Sequence, residues 1–172
     1  YSLMAWVKNM DQLTKNTFQR SGVYSYNISE NGDYGSSKGI DLTLKFRGRA
    51  FGSQVQYTYS IAKNNSEYPW ANVSGQYVDA PSQESLQFYD RPHDLTFWFY
   101  TGLPYGINAA LTAFYQSGGP YTPLIFAGKD PQVDAKNPNS KRGPAYRNVN
   151  LNFSKYVTIM DHKISLGLSL YN

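Results

Sequence analysis

Ile40-Asp41-Leu42-Thr43-Leu44-Lys45-Phe46 alternates apolar and polar side chains residue by residue, and after a Gly-containing turn, Arg47 to Ser53, the alternation resumes through Val55-Gln56-Tyr57-Thr58-Tyr59-Ser60-Ile61. A period of two puts successive side chains on opposite faces of an extended strand. The two runs therefore predict antiparallel strands joined by a short turn, each with one oily and one wet face. The same pattern recurs outward along the chain. Ile107, Ala109, Leu111, Ala113 and Tyr115 oppose Asn108, Thr112 and Gln116, with Ala110 and Phe114 as exceptions. Val149, Leu151 and Phe153 oppose Asn150, Asn152 and Ser154, and Ile164, Leu166, Leu168 and Leu170 oppose Ser165, Gly167 and Ser169. Less regular strands are read from Tyr1 to about Leu13, from about Val23 into Gly39–Phe46, and from Asp94 to Thr101. About seven strands result, and no segment carries a capped 3.6-residue stripe.

Composition bounds the possibilities. The 172 residues include 16 Tyr, 9 Phe and 3 Trp, yet only 16% are charged, against about 25% in ordinary soluble domains. Mean hydropathy is -0.54, so the rings are interleaved with polar residues and not gathered in blocks. No purely apolar run exceeds five residues, far below the roughly 18 residues of a membrane-spanning helix, and Phe97-Trp98-Phe99-Tyr100 is the run made of rings alone. Rings on both faces of that run suit a strand end at a membrane interface and suit a doubly covered core strand equally well. The chain has no cysteine, which removes disulfides, thiol catalysis and thiolate metal sites. A net charge of +4 is spread along the chain. Lys45, Arg47 and Arg49 sit beside glycines and read as a solvated turn, not a nucleic-acid patch. The first residue, Tyr1, follows no Met, basic n-region or apolar h-region, so the sequence reads as an internal fragment.

Link lengths alternate as well. Arg47–Ser53, Gly102–Gly106 and Ile159–Lys163 are short, whereas Asn64 to about Tyr89 and Tyr121 to about Arg142 are long. In an up-and-down antiparallel sheet this puts tight turns on one edge and long excursions on the other, the arrangement of outer-membrane barrels. The polar faces carry Ser, Thr, Asn and Gln with few charges, which fits a wet lumen better than a soluble exterior. The fold class is thus all-β, an antiparallel up-and-down transmembrane β-barrel segment. Its lipid-facing residues are Leu42, Leu44, Val55, Tyr57, Tyr59, Ile107, Leu111, Val149, Leu151, Phe153, Ile164, Leu166 and Leu168.

Several short segments, in order, resemble the C-terminal part of the TonB-dependent outer-membrane receptors. Gly39-Ile40-Asp41-Leu42 is similar to that family's Gly-x-Glu-Leu strand start, with Asp for Glu. Tyr89-Asp90-Arg91-Pro92-His93-Asp94 resembles its Tyr-Asp-x-x-His re-entry segment, and Ser117-Gly118-Gly119-Pro120-Tyr121-Thr122-Pro123 its Ser-Gly-x-Pro-Tyr-Thr-Pro strand exit. Arg142–Tyr156 resembles the next descending strand, and Leu170-Tyr171-Asn172 the start of the segment before the last one. The resemblance implies a barrel of about 22 strands closed by a plug, of which this chain would be roughly strands fifteen to twenty-one. It further implies residence in the bacterial cell outer membrane and import of a scarce nutrient such as a siderophore, glycan or peptide. Partners so implied are outer-membrane lipid, the plug domain, the remaining barrel strands and a TonB-type coupling protein reached through a segment outside this chain.

No cofactor, catalytic group or metal site is expected. His93–Asp94 and Asp161–His162 are neighbours whose side chains diverge in a strand, and no phosphate loop or Ser elbow occurs. Recognition is expected in the long links, which a rigid scaffold presents. Tyr68, Trp70 and Tyr77 lie in the first, and Tyr121, Phe126, Lys129 and Lys136 in the second. Their rings could stack on a small ligand and the lysines attract an anion, or they could pack the links together. Two other readings stay open: a soluble β-sheet module that binds glycans through Tyr and Trp, and a small complete outer-membrane barrel with a structural role.

Overall fold

The computed structural model describes residues 1–65, 84–128, 130–134 and 137–172. Seven long strands form one antiparallel sheet: β1 (Ser2–Ser21), β2 (Tyr24–Arg47), β3 (Phe51–Asn64), β5 (His93–Leu103), β6 (Ile107–Gln116), β11 (Tyr146–Ile159) and β12 (His162–Leu170). Their spatial order is their sequence order, so the sheet is up-and-down, with β1 and β12 at its edges. A two-residue strand, β4 (Ser85–Leu86), pairs with the end of β3. Between β6 and β11 the chain forms two small ladders: β7 (Pro120–Tyr121) with β10 (Lys141–Arg142), and β8 (Leu124–Ala127) with β9 (Asp130–Val133). No helix among the described residues is long and apolar enough to cross a membrane.

The register turns alternation into two faces. Leu3, Leu42, Tyr57, Leu95, Tyr115 and Arg147 lie opposite one another in a single row across six strands. Two residues along, Leu44, Val55, Phe97, Ala113 and Val149 form the next row, and Phe46, Phe99, Leu111, Leu151 and Leu170 belong to the one after it. All thirteen residues named above as lipid-facing fall on this one face. The other face carries Asp41, Thr58, Asp94 and Gln116 in one row, and Gln56, Thr96, Phe114 and Asn148 in the next. The ambiguous run divides between them, Phe97 and Phe99 on the apolar face, Trp98 and Tyr100 on the polar one.

Among the described residues no second layer covers the apolar face: no aliphatic or aromatic side chain is buried, and Leu166 and Leu168 are each 58% exposed. The buried polar side chains among them are Asn64, Gln87, Asp90, Ser117 and Asn139, beside Pro120. Cohesion therefore comes from the ladders and from cross-strand pairs. On the polar face two aromatic rings lie over glycines directly opposite them. A Cβ on Gly39 would stand 2.7 Å from the Trp6 ring, and one on Gly52 would stand 2.3 Å from that of Tyr100. Trp6 also donates from Nε1 to Asp41 Oδ2 at 3.0 Å, and Thr58 Oγ1 donates to Asp41 Oδ1 at 2.7 Å. The acid in Gly39-Ile40-Asp41-Leu42 thus holds three strands together.

The hairpin turns are staggered. In the row where β2 and β3 part, Arg47 and Gly52 align with Tyr100 and Asn152. From that row β5 still runs to Leu103 and β11 to Ile159. Each turn therefore lies three to four residues beyond the last, about 10–12 Å along the strands for about 9.6 Å across them. If the turns share one level, the strands incline by roughly 45°.

Two details differ from the sequence expectation. β1 continues past about Leu13 to Ser21 and forms, with the first part of β2, a two-stranded ribbon closing at Gly22. Alternation fails at Met10–Leu13 because the register shifts there and Gln12 takes a positive φ of 57°, yet backbone pairing resumes beyond the bulge without needing a hydrophobic pattern. The second long link also contains its own hairpin, β8–β9, turned at Gly128 (φ 84°). At the opposite edge the β11–β12 turn places Met160 and Asp161 at φ 49° and 65°, a conformation that Asn-Gly adopts with less strain. Replacing the pair (Met160→Asn with Asp161→Gly) should raise unfolding free energy by about 1 kcal/mol, read by denaturant titration.

Candidate functional site

The three short turns lie at one edge of the sheet. The β1–β2 turn and both long links leave from the other. At that edge the links are tied by a knot of buried polar groups. Asp90, whose side chain is 1% exposed, accepts from the Ala62 backbone N–H at 2.6 Å and from Arg142 Nη2 at 2.5 Å. Arg142 Nη1 donates to the carbonyls of Asp90 (3.0 Å) and Gly118 (3.3 Å). One guanidinium therefore joins the base of the first link to that of the second, using the planar fork that makes Arg suited to multiple acceptors.

Neighbouring bonds complete the knot. Arg91 Nη1 donates to the Ser117 carbonyl at 3.0 Å, the Ser117 N–H to the His93 carbonyl at 2.8 Å, and the His93 N–H to Ser117 Oγ at 3.2 Å. Asn139, also buried, donates its backbone N–H to Thr122 Oγ1 (2.9 Å) and its side-chain amide to the Leu86 carbonyl (2.5 Å). Gly118 passes so close to the returning chain that a Cβ would lie 1.9 Å from the Gly143 carbonyl oxygen. The segments Tyr89–Asp94 and Ser117–Pro123 thus carry an acid, a serine and glycines because the two link bases meet backbone to backbone.

Below the knot the polar face offers two adjoining clefts. One of about 350 Å³ is lined by Ser37, Thr58, Ser60, Asp90, Asp94 and Gln116 among others. The other, about 540 Å³, shares Asp94 and Gln116 and adds Phe114, Tyr146, Asn148 and Asn150. Gln116 Nε2 donates to Asp94 Oδ2 at 2.7 Å, and Asn150 Oδ1 is buried with no hydrogen-bond partner. Amides, hydroxyls, a carboxylate and rings make this a surface for hydrogen bonding and stacking.

The histidines separate as strand geometry requires. His93 lies on the apolar face, its Nδ1 2.8 Å from Tyr57 Oη and its ring 5.3 Å from that of Tyr59, while Asp94 is on the polar face. Among the described residues no three His, Asp or Glu side chains converge on a metal position. Of the recognition candidates, Tyr121 is in β7 at the link base, 50% exposed, and Phe126 is in β8, 78% exposed. Tyr68, Trp70, Tyr77, Lys129 and Lys136 lie outside the described residues. Asp90 and Arg142 had no singled-out role in the sequence, and at the two link bases only the neighbouring Gly and Pro residues hinted at close approach. Matched against family models, curated proteins and solved structures, the chain finds no counterpart.

Removing the guanidinium leaves a buried carboxylate without its cation, so Arg142→Ala should destabilise the folded protein by about 3–5 kcal/mol. Adding Asp90→Asn should recover part of that loss; equal unfolding midpoints for the single and double variants would refute the pairing. Gly118→Ala meets backbone and Gly52→Ala only the mobile end of Tyr100, so the first should cost about 1–3 kcal/mol more than the second, compared by thermal unfolding.

Proposed function

We propose that this chain is a wall segment of an outer-membrane β-barrel belonging to a TonB-dependent receptor, which binds a scarce nutrient and admits it to the periplasm. The observation that carries this reading is the uncovered apolar face. Below the bulge a continuous sheet gathers its leucines, isoleucines and valines on one side, with rings on both, and among the described residues none of these aliphatic side chains is buried. In water such a face would be a severe association hazard; in a bilayer it is the solvated side. The opposite face, built from amides and hydroxyls, then lines a water-filled lumen.

Three further features support it. β3, β5, β6, β11 and β12 have 14, 11, 10, 14 and 9 residues, against about 9–11 needed to cross a bilayer when inclined about 45°. The stagger of the turns has the size that closing a tilted barrel requires. Short turns on one edge and knotted long links on the other match the periplasmic and external ends. Two of the segments that resemble the receptor family, Tyr89–Asp94 and Ser117–Pro123, are joined in the knot. In this reading the ligand is a siderophore, glycan, peptide or similar small nutrient met by the links and lumen, and transport is driven through a coupling protein; the barrel catalyses no reaction. A small complete barrel would need β1 to pair with β12, and these are opposite edges of the sheet.

Leu151 and Leu168 fall midway up the apolar face, so Leu151→Arg or Leu168→Arg in the full-length protein should cost about 2–4 kcal/mol of membrane-folded stability. Asn150→Lys, on the polar face, should assemble normally. Heat-modifiable mobility of outer-membrane fractions reads the result. Equal assembly of all three variants rejects the membrane reading.

A further inference from the structure

The charges on the apolar face are one-sided. In the rows that pair β1 to β12 below the bulge, register puts Lys38, Lys63, Arg147 and Lys155 on that face, whereas the strand carboxylates Asp41 and Asp94 are both on the other. Lys38 pairs directly with Ile61, two residues from Lys63 on the same strand, so the two lysines occupy diagonal positions about 7–8 Å apart, a spacing that lets both long side chains reach one anion. Among the described residues neither has an ion-pair partner, and Glu84, just before β4, makes none with Lys63.

Directly below this pair is an open groove of about 360 Å³, lined by Ala5, Val7, Ile40, Tyr59 and Ile61 with Lys38 at its upper end. The small side chain of Ala5, between larger neighbours, helps form the depression. In the row of Lys63 the same face turns polar with Ser36 and Asn9. The groove therefore has an apolar floor, a cationic head and a polar surround. With the strands inclined by roughly 45°, Lys38, Lys63 and Arg147 fall in one band about 20–30 Å above the turns, the height of the upper border of a barrel's apolar belt. Arg147 is held there over the Tyr115 ring, 5.8 Å from its centroid.

We propose that this groove binds a phosphate-bearing lipid of the outer leaflet, with the phosphate between Lys38 and Lys63 and an acyl chain along Ala5, Val7, Ile40, Tyr59 and Ile61. Charge complementarity selects the headgroup and the apolar floor selects a lipid over a free anion. The inference rests on the membrane reading, because the groove lies on the face assigned to lipid.

The test uses the full-length protein, folded in detergent and checked by heat-modifiable mobility, with native mass spectrometry reading bound lipid. The probes are diphosphoryl lipid A, its dephosphorylated form, phosphatidylethanolamine and inorganic phosphate. The wild type should retain diphosphoryl lipid A over the dephosphorylated form. Lys38→Gln with Lys63→Gln should lower that retention roughly thirtyfold, Lys38→Arg with Lys63→Arg should keep it, and Lys45→Gln on the polar face should leave it unchanged. Unaltered retention in the double Gln variant overturns the site, as does full displacement by inorganic phosphate, which would make it a free-anion site. A wild type that never folds into detergent or lipid fails at the earlier step and rejects the membrane reading itself.

Discussion

Backbone hydrogen bonding between neighbouring strands holds this molecule together, because no hydrophobic side chain among the described residues is buried to share the task. In most domains the ladder and the apolar core stabilise one another. Here the ladder is continuous from β1 to β12, and the side chains above and below it are left to different environments. That division fixes what each face can contain. Cross-strand contacts on the polar side are specific: Trp6 over Gly39, Tyr100 over Gly52, and Thr58 and Trp6 on Asp41. Those on the apolar side are loose rows of aliphatic and aromatic groups, suited to a fluid partner.

The buried polar knot has the opposite character. It is the one region where side chains are withdrawn from solvent, and it joins segments far apart in sequence through a single guanidinium. A buried ion pair adds little net stability against a hydrophobic alternative, so its contribution is geometric. Arg142 reaches a carboxylate and two carbonyls at once, an arrangement that only one relative position of the two link bases satisfies. The bases of the two links are thereby fixed relative to one another.

The faces were legible in the sequence because strand alternation is local: Leu42 and Leu44, or Leu151 and Phe153, declare their side without knowledge of their neighbours. Register adds what alternation cannot, namely that Leu42, Tyr57 and Tyr115 share a row. The knot was only partly legible. Asp90 and Arg142 are 52 residues apart, and nothing in either segment specifies the other; the glycines at 118 and 143 are a sign of close approach without naming what approaches. The extension of β1 beyond Leu13 was missed for a different reason: Thr14-Lys15-Asn16-Thr17-Phe18-Gln19 carries no apolar-polar alternation to read, although its partner strand was legible from about Val23.

Asp94, Gln116 and Tyr146 share one row of the sheet. Asp90 stands four residues before Asp94 and Arg142 four residues before Tyr146, so the ion pair joins equivalent levels of the chain entering β5 and β11, two strand spacings or about 10 Å apart. Such a span is too wide for one short side chain and within reach of an arginine. The bridge is thereby a gauge of strand alignment: slipping β11 by two residues would carry the guanidinium about 7 Å from its carboxylate, and the link bases would part.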